Sequence, residues 1–149
     1  MGDDVKKTRD LVVPEVGATG PLGSQDESPR ERGLALLDRM LGPERAQATR
    51  EAWLALAPDF ERYVVEFLSG EVWSRPGLEL RVKSLCTITT LAALGRNQGL
   101  ELNIRMALNN GATREDIVEA LLHIAPYAGF PACWEALVIA DRVFKETPG

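Results

Sequence analysis

The stretch at 79–96, ELRVKSLCTITTLAALGR, is apolar on nearly every side from Leu85 to Leu94. A helix with that pattern has no polar face to offer water, so it must be buried in a core or in a contact between subunits. Its Val, Ile and Thr content also permits a strand, but a run this long favours a helix. Whatever else the chain forms must supply cover for this one element.

The flanking sequence reads as further helices. Ser28 followed by Pro29 is a cap and a first-turn proline. Leu34, Leu37, Met40 and Leu41 then fall on one stripe until Gly42 and Pro43 break it. A second helix spans roughly 44–56, and Pro58 restarts the chain. Tyr63, Val64, Phe67 and Leu68 give a third apolar face, closed by the breaker SRPG at 74–77. After the central helix, 99–111 is amphipathic, with Leu100, Asn103, Ile104 and Ala107 on one side. Asn109–Asn110–Gly111 is a stop, and Gly111 suits a left-handed cap. Thr113 with Asp116 three residues on begins the next helix as a weak capping box. Pro126 should end or kink that helix, Gly129 marks a bend, and Pro131 opens a last helix to about Lys145. No segment has the alternation and turn chemistry of a hairpin, and no repeat is present. The expectation is an all-α domain of six or seven helices over 29–149, with 1–28 as a Gly-, Pro-, Ser- and acid-rich tail. Leu11, Val12 and Val13 are the one apolar run in that tail.

Composition narrows the function. The net charge of −5 argues against nucleic acid as a partner, since phosphate binding wants a concentrated basic face. No apolar run reaches the length of a membrane span, and the start lacks a secretory h-region, so a cytoplasmic location is expected. Cys86 and Cys133 are far apart and form no CxxC. They read as free thiols in the core rather than as a disulfide. One histidine and two distant cysteines are too few for a transition-metal site. There is no glycine-rich phosphate loop and no cofactor signature.

What remains is a polar set among apolar helices: Trp73 and Arg75 in GEVWSRPG, Arg81 and Lys83, Asn103 and Arg105, and His123 with Tyr127. Each has an ordinary reading. Arg75 reads as a loop charge, Arg81 and Lys83 as solvated residues near a helix start, and Asn103 as a satisfied core amide. Lone His123, between Leu122 and Ile124, reads as a core histidine, and Tyr127 as a packing ring. Taken singly, none of them identifies a chemistry.

Together they do. RGLALLDRMLG at 32–42, GEVWSRPGLELRVKSLCTITTLAALGR at 70–96 and LELNIRMALNNGATREDIVEALLHIAPYAGFPACWEALVIA at 100–140 carry a resemblance to the carboxymuconolactone decarboxylase family, in its γ-carboxymuconolactone decarboxylase branch. The resemblance covers about Arg32 to Phe144. It implies an alkylhydroperoxidase-like helical subunit in a homo-oligomeric ring, a trimer or hexamer, with sites near subunit contacts. That agrees with the central helix, because a small domain rarely has room to enclose one apolar on all sides. The redox branch of the family uses a CxxC, a His and a Glu. Those positions fall here on Arg96, Gly99, Asn103 and Ser84, so thiol-dependent peroxidase chemistry has no nucleophile.

The decarboxylase branch acts without a metal or organic cofactor on a small carboxylated unsaturated lactone. That chemistry needs a cationic clamp, a sink for the electron pair left by CO₂, and a proton donor. The resemblance makes Arg75, Trp73 and Arg105 substrate-binding candidates, and His123, Asn103 and Tyr127 catalytic ones. One departure matters. Relatives read L-x-x-H-I-R-x-A-L-N-N-G where this chain has Asn103, and an amide cannot shuttle a proton near neutral pH. His123 is then the one side chain whose ordinary pKa suits that work. The expected function is a cofactor-free enzyme acting on a small anionic lactone or enol-type substrate. It either decarboxylates it or carries out a redirected isomerisation, cyclisation or hydrolysis in a biosynthetic step. The alternative is a ring-forming member that kept the pocket and lost catalysis.

Overall fold

The computed structural model describes residues 26–147, and every regular element among them is helical. The all-α expectation holds. Most of the expected tail, residues 1–25 with Leu11, Val12 and Val13, lies outside the described residues.

Helix α1 (Pro29–Leu41) begins as its sequence dictates. The Ser28 hydroxyl accepts from the Glu31 N–H, and the Glu31 carboxylate takes the Ser28 N–H at 2.7 Å. Helix α2 (Pro43–Leu56) follows, and α3 (Pro58–Arg62) winds directly into a π-helical segment, Tyr63–Trp73. Here the third apolar face expected from α spacing is not the one that packs. Tyr63 and Phe67 are more than half exposed and Leu68 is exposed as well. The covered side instead runs Glu61, Val65, Ser69, Gly70 and Trp73. In a π-helix each N–H reaches the fifth residue back, so a turn holds more residues than an α turn. A stripe drawn at 3.6 residues therefore drifts off the buried side.

Helix α1 lies against this segment at close range. A Cβ at Gly33 would stand 1.9 Å from the Val65 carbonyl oxygen, and one at Gly70 would stand 1.9 Å from that of Pro29. Leu36, Leu37, Met40, Val65 and Trp73 form a core there with Leu80 and Met106. A larger core joins α4 (Leu80–Ala93), α5 (Asn97–Asn109), α6 (Arg114–His123) and α8 (Phe130–Glu146) through Ile88, Leu100, Ile104, Ile117, Leu121 and Val143.

The C-terminal half follows the expected punctuation. Gly111 turns between α5 and α6 at φ +91°, and Thr113 with Asp116 forms a complete capping box rather than a weak one. Pro126 sits in the one-turn α7 (Ala125–Ala128), and Gly129 at φ +95° leads into α8. Helix α4 buries Leu80, Ser84, Ile88 and Ala92. Its other side, with Cys86, Thr90 and Leu94, is exposed on the subunit. So of the two cysteines expected in the core, Cys133 is there and Cys86 is not; both are free thiols. The helix is apolar all round, but the described residues cover only one of its sides.

Candidate active site

The π segment ends at Trp73, and residues 74–79 make the turn into α4. Trp73 is buried against α1 and α4, so its ring anchors the start of the turn in the core. Arg75 stands exposed on the turn itself, beside Pro76 and Gly77, because two helix-breaking residues in SRPG prevent either helix from running through. Between this turn and α4 lies a cleft of about 470 Å³, with Val72, Trp73 and Leu78 as apolar walls and Arg75, Lys83, Cys86 and Thr87 as polar ones.

Among the described residues, the charged side chains lining the cleft are Arg75 and Lys83, and both are cationic. Lys83 is not the solvated residue expected near a helix start. Its ammonium is partly buried and donates to the carbonyl oxygen of Trp73 at 2.6 Å and to that of Arg75. Burial pushes its pKa below the ordinary lysine range, and the neighbouring Arg75 charge pushes the same way. Among the described lining residues no carboxylate faces Arg75, so its guanidinium suits an anion. Arg81, also expected to be solvated, grips Asp116 across the start of α6 with bonds of 2.6 and 3.0 Å.

The other candidate residues stand elsewhere. Asn103 is half-buried on α5, where its amide N–H donates to the Gly99 carbonyl one turn back at 2.8 Å. Arg105 bonds to Glu146 and to Glu101, tying α5 to the end of α8, and it lines a second hollow of about 260 Å³ with Arg45 and Asn109. His123 closes α6 and is exposed, so it is not the core histidine of the ordinary reading. Its ring faces Tyr127, with centroids 5.5 Å apart and planes at 51°. Tyr127 is 80% exposed, which also rules out the packing-ring reading within one subunit. The structure thus joins Trp73 with Arg75, and His123 with Tyr127, and puts neither Asn103 nor Arg105 in the cleft. Lys83 was missed because a lysine at 83 looks the same in sequence whether it points to water or back over a turn eight residues earlier. Among the described residues no three His, Cys, Asp or Glu side chains converge to hold a metal ion.

Comparison with known proteins places this geometry in context. The model of the carboxymuconolactone decarboxylase family matches residues 58–142. A 4-carboxymuconolactone decarboxylase of Acinetobacter baylyi is 39% identical over 121 residues, 81% of this chain and 90% of the relative. A nitrosuccinic acid decarboxylase of Metarhizium robertsii is 35% identical over 119 residues, 78% and 81% of the two chains. An uncharacterised 15.0 kDa protein of Paracoccus denitrificans is 32% identical over 111 residues, 72% and 82%. The matched region takes in the cleft, Asn103 and the His123–Tyr127 pair.

Proposed function

Because the chain belongs to the carboxymuconolactone decarboxylase family, we propose that it removes a carboxyl group as CO₂ from a small anionic substrate bound in the Arg75 cleft. The observation that carries this reading is the Arg75 cation on the cleft, held from below by Lys83 and faced by no carboxylate among the described lining residues, against an apolar wall. The two relatives named as decarboxylases act on substrates that carry a carboxyl group beside an electron-withdrawing one, a lactone or a nitro group. Such a group is the sink that decarboxylation needs. The C–C bond breaks, CO₂ departs, and its electron pair passes to the sink until a proton returns to carbon.

The cations have a definite task in that sequence. Pairing Arg75 with the departing carboxylate would favour the ground state, because that charge vanishes as CO₂ forms. Arg75 accelerates the step only by holding charge that stays or grows, either a second carboxylate or the oxygen of the sink. Its planar fork suits either. Trp73 supplies apolar wall against the substrate's carbon frame.

The proton side of the reaction falls to His123, with Tyr127 against its ring. Both are exposed on their own subunit and neither lines its cleft, so the proposal has them serve the cleft of a neighbouring copy. Asn103, at the position where the resembled pattern usually has histidine, is left to orient a carbonyl rather than to move a proton. In this proposal Arg105 braces α5 against α8, and no metal or organic cofactor is required.

The test is direct. Purified protein is given 4-carboxymuconolactone, and separately nitrosuccinic acid, and CO₂ release is followed beside His123→Ala and Arg75→Ala variants. The expected result is turnover of one of them by the native protein, at least a hundredfold loss in His123→Ala, and a raised KM in Arg75→Ala. No turnover of either acid, together with retained binding, would favour the non-catalytic alternative that Asn103 motivates.

A further inference from the structure

We infer that Lys83 is a positioning residue, which holds the 73–75 backbone so that the Arg75 guanidinium is presented into the cleft. The inference rests on the reading of that cleft as the substrate site. Its own support is geometric. Arg75, Pro76, Gly77 and Leu78 are all exposed, and a Cβ at Gly77 would meet nothing within 4 Å. Among the described residues, none is packed over Gly77. Its one backbone bond is a long one, from the Arg75 N–H to the Val72 carbonyl at 3.4 Å. Among the described residues, the Lys83 ammonium makes the only side-chain hydrogen bond to 75–78.

Lys83 is well placed for that work. It sits one turn into α4, between the buried residues Leu80 and Ser84, so its backbone is fixed by the core. From there it reaches the Trp73 and Arg75 carbonyls at the C-terminal end of the π segment. Carbonyls at a helix C-terminus lack partners within the helix and carry its negative end, which a cation satisfies on both counts. A partly buried lysine beside an arginine is unfavourable in isolation, and the two carbonyl bonds offset that. The ammonium thereby converts a loose turn into one whose arginine has a defined origin. A residue acting this way works through Arg75 and leaves a recognisable trace in double variants.

The experiment uses the full-length protein and four forms: native, Lys83→Met, Arg75→Ala and the double variant. Hydrogen exchange of the Ser74 and Arg75 amides, which both donate to the Val72 carbonyl, is measured first, since it needs no substrate. Lys83→Met is expected to speed exchange at these two amides about tenfold or more while leaving α5 and α8 unchanged. Decarboxylation of 4-carboxymuconolactone and of nitrosuccinic acid is then followed, with kcat/KM compared on whichever the native protein turns over. Lys83→Met is expected to lower kcat/KM about tenfold in the native background and less than twofold in the Arg75→Ala background. Unchanged exchange at Ser74 and Arg75 overturns the inference. So does a full tenfold loss that persists without Arg75, which would make Lys83 an independent contact or a general stabiliser. Should Lys83→Met fail to fold, Lys83→Gln takes its place under the same criteria. If no form turns over substrate, it is the functional reading that fails, and the exchange result alone decides the role of Lys83.

Discussion

Asp116 shows how much one side chain can hold. It accepts the Thr113 N–H at 2.9 Å, closing the cap of α6, and it takes both arms of Arg81 from α4. The Arg81 bonds first, and the cap bond second, draw its pKa down to about 2. A carboxylate whose pKa is lower folded than unfolded adds stability above its ordinary range and loses it as the pH falls through the folded value. Urea midpoints measured from pH 6 down to pH 2 should therefore fall more steeply for the native protein than for Asp116→Asn, with the difference confined to the window below about pH 4. Glu61 is the buried counterpart. At 2% exposure, burial alone would raise its pKa, yet bonds from Arg30 and Arg50 at 3.0–3.2 Å outweigh that and hold it low. It joins α1, α2 and α3 at one point. Glu61→Gln should cost about 1–3 kcal/mol in chemical denaturation, less than a fully enclosed pair would, because both arginines can still reach water.

The caps and turns were legible in the sequence because their causes are local. Ser28, Pro43, Pro58, Gly111, Thr113 and Gly129 each fix a helix end by their own backbone geometry or a bond three residues away. The π segment was not legible. Its close seat on α1 depends on Gly33 and Gly70, a backbone approach at which any Cβ would overlap a carbonyl oxygen. Neither glycine sits in a turn, so neither announces itself. The same limit applies to the site. Trp73 and Arg75 were singled out because GEVWSRPG resembles the family's motif, whereas the role proposed for Lys83 depends on a contact eight to ten residues away. The contact between α1 and the π segment gives a sharp prediction at this scale. Gly33→Ala should destabilise the protein by about 1–3 kcal/mol or more, since the clash is with backbone and no side chain can give way. An equal change at Gly77, which faces open space, should be near neutral, and paired thermal melts would separate the two.

At the scale of the whole molecule, exposed apolar side chains among the described residues fall on two stretches. One is α6 to α8, with Leu122, Tyr127, Phe130, Trp134 and Val138. The other runs from α2 to the turn before α4, with Leu56, Phe60, Tyr63, Phe67, Val72 and Leu78. The proposed reaction, with His123 outside its own cleft, needs these stretches to be contacts between copies. Two unlike faces on one subunit are what a head-to-tail contact needs, and such contacts close into rings when the rotation allows. The second face includes Val72 and Leu78, which are also lips of the Arg75 cleft. The first carries Tyr127 and adjoins His123. Docking one on the other would bring the imidazole of one copy to the cations of the next, the arrangement that the proposed reaction needs. Light scattering of the native protein should then give a mass of three or more subunits of 16.3 kDa. Trp134, 68% exposed, is the residue to change, because a charge there opposes assembly without touching the core. Trp134→Glu is expected to yield a helical monomer by circular dichroism, with its melting cooperative and its decarboxylase turnover lost. A native protein that stays monomeric at micromolar concentration, or a Trp134→Glu monomer that keeps full turnover, would place the whole reaction inside one subunit and remove His123 from it.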